Sequence, residues 1–260
     1  MDYIVVIPAR LKSSRLPQKM LRSLNGKPLI EWTWRAALKS SAKQVIVATD
    51  NQAIYDHLTT LGATVVMTAD HHESGTDRLS EVAQKLSFNP NEVIVNWQGD
   101  EPFLPTHFID LVAESLANNP SVAMSTLATP IYDWAEIQDP NAVKVVLNEV
   151  DEALYFSRAP IPYQRGEMKI EGRIIGETPY LRHLGLYAYR ADFLCQYPHL
   201  IPSPLESLEK LEQLRALANN YKIAVAISLE SPPPGIDTEE DLEKAINWLL
   251  EHQAQPLKQK

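Results

Sequence analysis

Short apolar runs rich in β-branched residues alternate with helical patterns through the first 120 residues of the chain. The runs read YIVVI (3–7), QVIVATD (44–50), ATVVMT (63–68) and EVIVNWQGDEP (92–102), and longer segments with helical spacing separate them. This alternation predicts βαβ units and a mostly parallel sheet covered by helices on both faces, the α/β fold class. Because right-handed crossovers bring the carboxyl ends of parallel strands to one edge, we expect a ligand site at that edge.

The pattern changes after about residue 121. VAMSTLATP, AVKVVLN, ALYFSRAPIP and LRHLGLYAYR read as strands without long helices between them, which predicts a smaller mixed-strand lobe. The polar segment 161–179, with its Gly and Pro residues, is typical of a loop. We therefore predict one domain over 1–260. It has a core at 1–120, a lobe at about 121–200 and a return to the core at 201–260.

The segment SPLESLEKLEQLRALANN predicts one continuous helix. Ser203 is its expected N-cap, Pro204 its first helical residue, and Glu206 the partner that completes a capping box. The apolar stripe of this helix is formed by Leu205, Leu208, Leu211 and Leu214.

The amino-acid composition of the chain argues against several classes of protein. A formal net charge of -9 argues against broad binding to nucleic acid or to an anionic membrane, so any anion site must be local. Cys195 is the single cysteine, which excludes an intrachain disulfide and fits a reducing compartment. The N-terminus does not read as a signal peptide, and no run approaches the roughly 20 apolar residues of a membrane span. These features predict a cytoplasmic protein without membrane insertion.

Cations are nevertheless concentrated directly after the first apolar run. The stretch VIPARLKSSRLPQKML (5–20) contains Arg10, Lys12, Arg15 and Lys19. Arginine forks and backbone N–H groups next to small serines suit phosphate oxygens, so the loop is a candidate polyphosphate site. The stretch is not a Walker loop. The alternative is a solvated basic loop, and its place at the end of a strand favours the phosphate site.

Acidic residues follow another buried run. Gln98, Asp100 and Glu101 lie at the end of EVIVNWQGDEP, where a carboxylate beside a triphosphate would suit Mg²⁺. Asp100 has the alternative of a turn residue. Asp237 precedes a helix with an acidic first turn, and by itself it is better interpreted as a helix cap. Sequence spacing does not show whether Asp100 and Asp237 meet.

Histidines give a weaker signal, since none has the spacing of a zinc site. His183 stands out because strand alternation places it on one face with Gly185 and Tyr187. A core or surface histidine is the alternative.

These motifs occur in a fixed order together with several others: IVATD, HESGTDRLSEV, VNWQGDEP, NAVKVV, ALYFSRAPIP, RHLGLYAYR, SPLESLEKLEQLR and PGIDTEEDL. Over about nine-tenths of its length the chain resembles the 3-deoxy-manno-octulosonate (KDO) cytidylyltransferase family. RHLGLY and LEKLEQLR are the stretches that favour KDO over other sugar acids.

The resemblance implies the reaction of CTP with KDO to give CMP-KDO and diphosphate, in lipopolysaccharide biosynthesis. It also implies a Rossmann-like core of the nucleotide-diphospho-sugar transferase type, a dimerisation lobe that also binds the sugar, a homodimer and Mg²⁺. The implied catalytic residues are Arg15, Lys19, Asp100 and Asp237, with Asp100 and Asp237 as metal ligands. The implied nucleotide-binding residues are Pro8, Ala9, Arg10, Ser14, Arg15, Lys19, Ser74, Gly75, Arg78 and Gln98. The implied sugar-binding residues are Gln98, Arg158, His183, Tyr187, Glu212 and Gln213.

Two stretches depart from the family pattern. Gln18 stands where the family loop has glycine, and SPPPGID, with Pro232, Pro233 and Pro234, should be stiff. Four rivals remain at this point: a cytidylyltransferase for an 8-amino analogue of KDO, one for sialic acid, a glycosyltransferase, and a sensor that binds nucleotide without turnover.

Overall fold

The first strand lies inside the sheet, and all seven of its residues are buried. The computed structural model describes residues 1–13, 15–72, 74–165, 180–232 and 235–253. Its strands are β1 (Tyr3–Ala9), β2 (Ser23–Leu24), β3 (Lys27–Pro28), β4 (Gln44–Thr49), β5 (Thr64–Met67), β6 (Val93–Asn96), β7 (Met124–Ile131), β8 (Lys144–Leu147), β9 (Ala153–Ser157), β10 (Tyr180–Arg190) and β11 (Ile223–Ile227). Most of the loop predicted at 161–179 lies outside the described residues, as does Ser14.

The helices follow the strands much as the alternation predicts. They are α1 (Leu29–Ala37), α2 (Gln52–Thr60), α3 (Gly75–Lys85), α4 (Thr106–Ala117), α5 (Trp134–Gln138), α6 (Ala191–Gln196), α7 (Pro204–Glu209), α8 (Gln213–Ala218) and α9 (Glu239–Gln253), with 3₁₀ turns at Lys19–Leu21 and Tyr197–His199. None of the helices in the described ranges is both long enough and apolar enough to cross a membrane.

The main sheet has the order β11-β7-β10-β6-β1-β4-β5, which confirms the α/β class with a mostly parallel core. β6, β1, β4 and β5 are parallel, whereas β10 is antiparallel to both β6 and β7. The strands of the predicted lobe thus extend the main sheet rather than form a sheet of their own. The ribbon β8–β9 joins it through β10.

Alternate residues of β1 enter the two cores on opposite faces of the sheet. Val5 and Ile7 pack with α1, α2 and α4, while Ile4 and Val6 pack with α3 and α6. A smaller cluster beneath α9 joins Leu16, from the cationic loop, to Ile236, the residue before Asp237. This cluster attaches both segments to the same small core.

The predicted helix 203–220 is two helices. Its start is as expected, because Ser203 and Glu206 form the capping box. Lys210 then adopts a left-handed conformation (φ 54°), which ends α7. Contacts of Glu209 explain why the helix ends here. Its carboxylate accepts hydrogen bonds from Ser157 Oγ (2.6 Å), at the end of β9, and from the backbone N–H of Arg158 (3.0 Å).

The predicted leucine stripe is therefore wrong in its first half. Leu205 and Leu208 are 44% and 79% exposed, whereas Leu211 and Leu214 are buried.

Candidate active site

A cleft of about 460 Å³ opens at the carboxyl ends of β1 and β6, the edge that the sequence predicts. Most of its lining residues are polar or charged. They are Pro8, Arg10, Lys12, Ser13, Arg15, Lys19, Met20, His72, Ser74, Gly75, Arg78, Gln98, Gly99, Asp100, Glu101, Glu212 and Asp237.

Asp100 and Asp237 meet in this cleft through Lys19. Lys19 Nζ lies 2.5 Å from Asp100 Oδ2 and 2.9 Å from Asp237 Oδ1. Burial alone would lower the pKa of Lys19, but the two carboxylates outweigh it and raise that pKa, so the ammonium is charged. Arg15 Nη2 reaches the same Asp237 oxygen at 2.9 Å. The cap interpretation of Asp237 is thus insufficient, because its side chain faces the cations.

Burial and the charges of Asp100 and Asp237 also change the pKa of the neighbouring Glu101. Burial first, and then the charges of Asp100 and Asp237, raise the pKa of Glu101 to about 8.

The backbone around Asp100 is closely packed. A Cβ added at Gly99 would lie 2.9 Å from the carbonyl oxygen of Pro8 and 2.9 Å from Met20 Sδ. Thr33 Oγ1 donates a 2.7 Å hydrogen bond to the Gly99 carbonyl. Glycine is therefore required before Asp100, because the end of β6 touches the end of β1 here.

The amino end of α3 forms a second wall of the cleft. Ser74 caps the helix and exchanges hydrogen bonds with Asp77, which makes a capping box. Gly75 lies against Gln98: a Cβ at this position would be 3.5 Å from Gln98 Nε2. A helix amino terminus with free N–H groups favours a bound anion.

Arg78 lines the cleft from the same helix and is only 2% exposed. Its guanidinium donates to Thr68 Oγ1 and, at 2.8 Å, to Asp50 Oδ2. Asp50 is the last residue of the IVATD motif and directly follows β4, and its carboxylate holds the Arg78 guanidinium in place.

Glu212 lines the cleft next to the first turn of α3. Its Oε1 accepts a 2.9 Å hydrogen bond from Thr76 Oγ1, and Tyr197 donates to its carbonyl at 2.7 Å. Burial raises the pKa of the Glu212 carboxyl.

Tyr187 is buried in β10, and His183 of the same strand is half-buried and lines a separate cleft together with Glu101. The His183 ring nitrogen Nε2 is 2.9 Å from Thr126 Oγ1, and its ring lies 5.4 Å from that of Tyr187. Burial lowers the pKa of His183 to about 3, so the ring is neutral near pH 7. Gln213 is buried next to Glu212, and its Nε2 has no hydrogen-bond partner within the described residues.

Eleven of the predicted site residues line the cleft: Pro8, Arg10, Arg15, Lys19, Ser74, Gly75, Arg78, Gln98, Asp100, Glu212 and Asp237. Ala9 is buried at the end of β1, and Ser14 lies outside the described residues. Arg158 is placed away from the cleft, because its guanidinium donates to the carbonyls of Glu209 (2.7 Å) and Pro140 (2.9 Å).

Six residues that line the cleft were not among those predicted to form the site: Lys12, Ser13, Met20, His72, Gly99 and Glu101. Lys12 and Glu101 carried a usable signal, since both are charged and stand in the motifs already singled out.

Comparison with known proteins gives one answer. A family model described as "Cytidylyltransferase" matches residues 4–223. The chain is 50% identical over 249 residues to the 3-deoxy-manno-octulosonate cytidylyltransferase of Tolumonas auensis, covering 96% of this chain and 97% of the relative. It is 49% identical over 244 residues to the protein of that name from Neisseria meningitidis, covering 94% and 96% of the two chains.

A solved structure is also similar. The structure of CMP:2-keto-3-deoxy-manno-octonic acid synthetase complexed with CTP superposes with a TM-score of 0.88 and is 38% identical, covering 97% of this chain and all of that chain.

Proposed function

We propose a function from one premise: this chain belongs to the 3-deoxy-manno-octulosonate cytidylyltransferase family. It is a nucleotidyltransferase, and its proposed reaction is CTP plus KDO giving CMP-KDO plus diphosphate, a step of lipopolysaccharide biosynthesis. One observation carries the proposal. The cleft combines a cationic loop with two carboxylates that meet at a single point, Lys19 Nζ.

The cationic loop is the proposed triphosphate site. Arg10, Lys12, Arg15 and Lys19 all line the cleft directly after β1. Arg15 is 64% exposed, so its guanidinium can turn from Asp237 to a phosphate at little cost. Positive charge at the β- and γ-phosphates stabilises the departing diphosphate.

Mg²⁺ is the proposed cofactor, and the chemistry of the donors fits it. Asp100 and Asp237 offer hard carboxylate oxygens at one position, and Mg²⁺ shares such ligands with substrate phosphates. When bound, the ion neutralises charge on the phosphates. The described residues contain no group of three or more His, Cys, Asp or Glu side chains able to hold a metal ion. A cation on Asp100 and Asp237 would complete its ligand shell with substrate oxygens and water.

The proposed chemistry is an in-line displacement at the α-phosphorus of CTP. The C2 hydroxyl oxygen of KDO forms the new P–O bond and releases its proton to water, the bond to the bridging oxygen breaks, and the electron pair of that bond leaves with diphosphate. His183 does not line the cleft, so it is not placed to take the hydroxyl proton. Positioning and charge stabilisation are expected to supply most of the rate.

The sugar acid is proposed to bind against Glu212, with Gln98, Gln213, Tyr187 and His183 around it. Arg158 remains a predicted partner of the sugar carboxylate. To reach it, the guanidinium must first release the two carbonyl groups that it now contacts.

A homodimer is proposed from exposed apolar side chains near α7. Leu205 and Leu208 of α7 and Leu154 of β9 are between 44% and 79% exposed. The contact of Glu209 with Ser157 ties α7 to β9. Large apolar side chains grouped in this way are typical of a subunit interface. Light scattering of the purified protein would give the mass of two chains. We also propose that the protein is located in the cytoplasm.

The experiment measures the release of diphosphate by the purified protein with CTP, KDO and Mg²⁺, and each of the three components is omitted in turn. The same assay is repeated with 8-amino-KDO and with sialic acid in place of KDO. Release that requires all three components supports the proposal. Preference for another sugar acid would change the acceptor, and CTP binding without turnover on any acceptor would indicate a sensor. Asp100→Asn should abolish release in a folded protein, and near-normal turnover would exclude its role as a metal ligand.

A further inference from the structure

One buried hydroxyl group connects α3 to Glu212 in the lining of the cleft. Thr76 lies in the first turn of α3, directly after Gly75, and is completely buried. Its Oγ1 donates a 2.9 Å hydrogen bond to Oε1 of Glu212. The same oxygen lies 3.3 Å from the hydroxyl of Tyr189.

We infer that Thr76 is a positioning residue for the sugar acid: its hydroxyl orients the Glu212 carboxyl and joins the sugar side of the cleft to the nucleotide side. This inference rests on the proposed function. Ser74, which caps α3, and Gly75 and Arg78 of its first turns line the cleft, and Thr76 is the residue of the same turn whose hydroxyl reaches Glu212.

The direction of each hydrogen bond follows from the chemistry of the hydroxyl. Thr76 has a single hydroxyl proton, and a carboxylate oxygen only accepts, so the proton of Thr76 goes to Glu212. The hydroxyl of Tyr189 must then be the donor in the 3.3 Å contact. The result is an ordered chain from Tyr189 through Thr76 to Glu212.

This chain ends among the other sugar-binding candidates. The ring of Tyr189 stacks on that of Tyr187 at 5.9 Å, and Tyr187 in turn lies 5.4 Å from His183. Orientation of Glu212 is thus connected with the packing of the aromatic layer behind the cleft.

Glu212 depends on Thr76 because its other neighbours are engaged elsewhere. Arg215, one turn further along, gives its guanidinium to Glu206 at 2.6 Å and 2.9 Å. Tyr197 contacts the backbone carbonyl of Glu212 and not its carboxyl. Within the described ranges, Thr76 supplies the hydrogen bond that the structure gives to this carboxyl, and Oε2 is available to a hydroxyl group of the ligand.

The test compares Thr76→Val, which has nearly the same shape without the hydroxyl, with Thr76→Ser, which keeps it. Ser125→Ala is the matched control, because Ser125 also makes a buried hydroxyl hydrogen bond, 2.7 Å to the Val112 carbonyl, on the other face of the sheet. We expect Thr76→Val to raise the KM for KDO about tenfold, the loss expected for one hydrogen bond. Its Kd for CTP, measured calorimetrically without sugar, should stay within twofold. Thr76→Ser and Ser125→Ala should keep the wild-type KM.

Glu212→Ala provides a second route if Thr76→Val folds poorly. It should produce the same selective rise in KM for KDO, and adding Thr76→Ala, which also removes the hydroxyl, should cause little further change. An unchanged KM for KDO in folded Thr76→Val, or an equal weakening of CTP binding, would overturn the role. If Thr76→Ser behaves like Thr76→Val, the role is also overturned. Wild-type protein that releases no diphosphate with KDO would instead overturn the proposed function, and this role with it.

Discussion

Asp100 and Asp237 are held at one point by a single ammonium group, that of Lys19, at 2.5 Å and 2.9 Å. Lys19 is 10% exposed at its side chain, whereas Asp237 is 39% exposed. The contact therefore joins a buried cation of the cationic loop to a more exposed carboxylate of the cleft.

Replacing Lys19 by Met should leave two carboxylates facing each other. We expect turnover to fall about 10²- to 10³-fold, the usual loss for one transition-state contact. The free energy of unfolding should fall by about 1–3 kcal/mol, because charged groups lose their partner. Added Mg²⁺ should restore part of that stability, since it binds the folded state.

Lys222→Met is the control, because Lys222 forms an exposed 3.0 Å ion pair with Glu152. Denaturant titrations with and without Mg²⁺ check the prediction. If Mg²⁺ stabilises Lys19→Met no more than Lys222→Met, the two carboxylates do not form a cation site.

Gly99→Ala should disturb the position of Asp100. The added methyl would lie 2.9 Å from the Pro8 carbonyl oxygen, so the ends of β1 and β6 must move apart. We expect a loss of about 1–3 kcal/mol of stability, typical of overpacking, and a loss of turnover. Gly185→Ala is the stability control, because nothing lies within 4 Å of a Cβ at that position. Equal stability of the two variants in urea would contradict the close packing described for Gly99.

His183 should make stability depend on pH. The unfolded residue takes up a proton below its ordinary pKa of 6.5, whereas burial keeps the folded residue neutral until about 3. The unfolded state therefore binds more protons as the pH falls, and stability falls by about 1.4 kcal/mol per pH unit from this group.

His183→Gln removes this titration, so the stability advantage of the wild type should shrink by about 1–2 kcal/mol between pH 7 and pH 5. Urea unfolding at both values measures it, with His107→Gln as control because the His107 side chain is 57% exposed. A constant difference between wild type and His183→Gln would show that the pKa of His183 is the same in the folded and unfolded states, so that burial does not lower it.

Gln18 occupies a left-handed backbone conformation, with φ 55° and ψ 32°. The family loop has glycine at this position, which adopts that conformation without a steric penalty. Gln18→Gly should therefore stabilise the protein by about 0.5–1 kcal/mol. Gln84→Gly, at an exposed position inside α3, should destabilise it by about 1 kcal/mol. Thermal unfolding that shows Gln18→Gly to be the less stable of these two variants would exclude strain at Gln18.

Local pattern predicted the elements well, because burial of the apolar runs and the capping of α7 are decided by neighbouring residues. YIVVI became β1, and Ser203 with Glu206 began α7 as expected. The end of α7 could not be predicted in this way. It is decided by contacts of Glu209 with β9, 51 and 52 residues away in the chain.

The site required more than local pattern. Strand ends indicated Arg15, Lys19 and Asp100, and only the family resemblance implied that Asp237 belongs with Asp100. The contact of Lys19 with Asp237, which spans 218 residues, was not predicted. The placement of Arg158 was not foreseen, because the two carbonyl groups that hold it carry no signal in the sequence.

The most direct test of cytidylyl transfer is ³¹P NMR of a single reaction that contains the protein, CTP, KDO and Mg²⁺. Cytidylyl transfer predicts that the three CTP signals decay together while one CMP–sugar phosphodiester signal grows, with one diphosphate signal of twice its integral. Formation of CDP or of free CMP with phosphate, without a sugar phosphodiester, would contradict cytidylyl transfer as the function of this cleft.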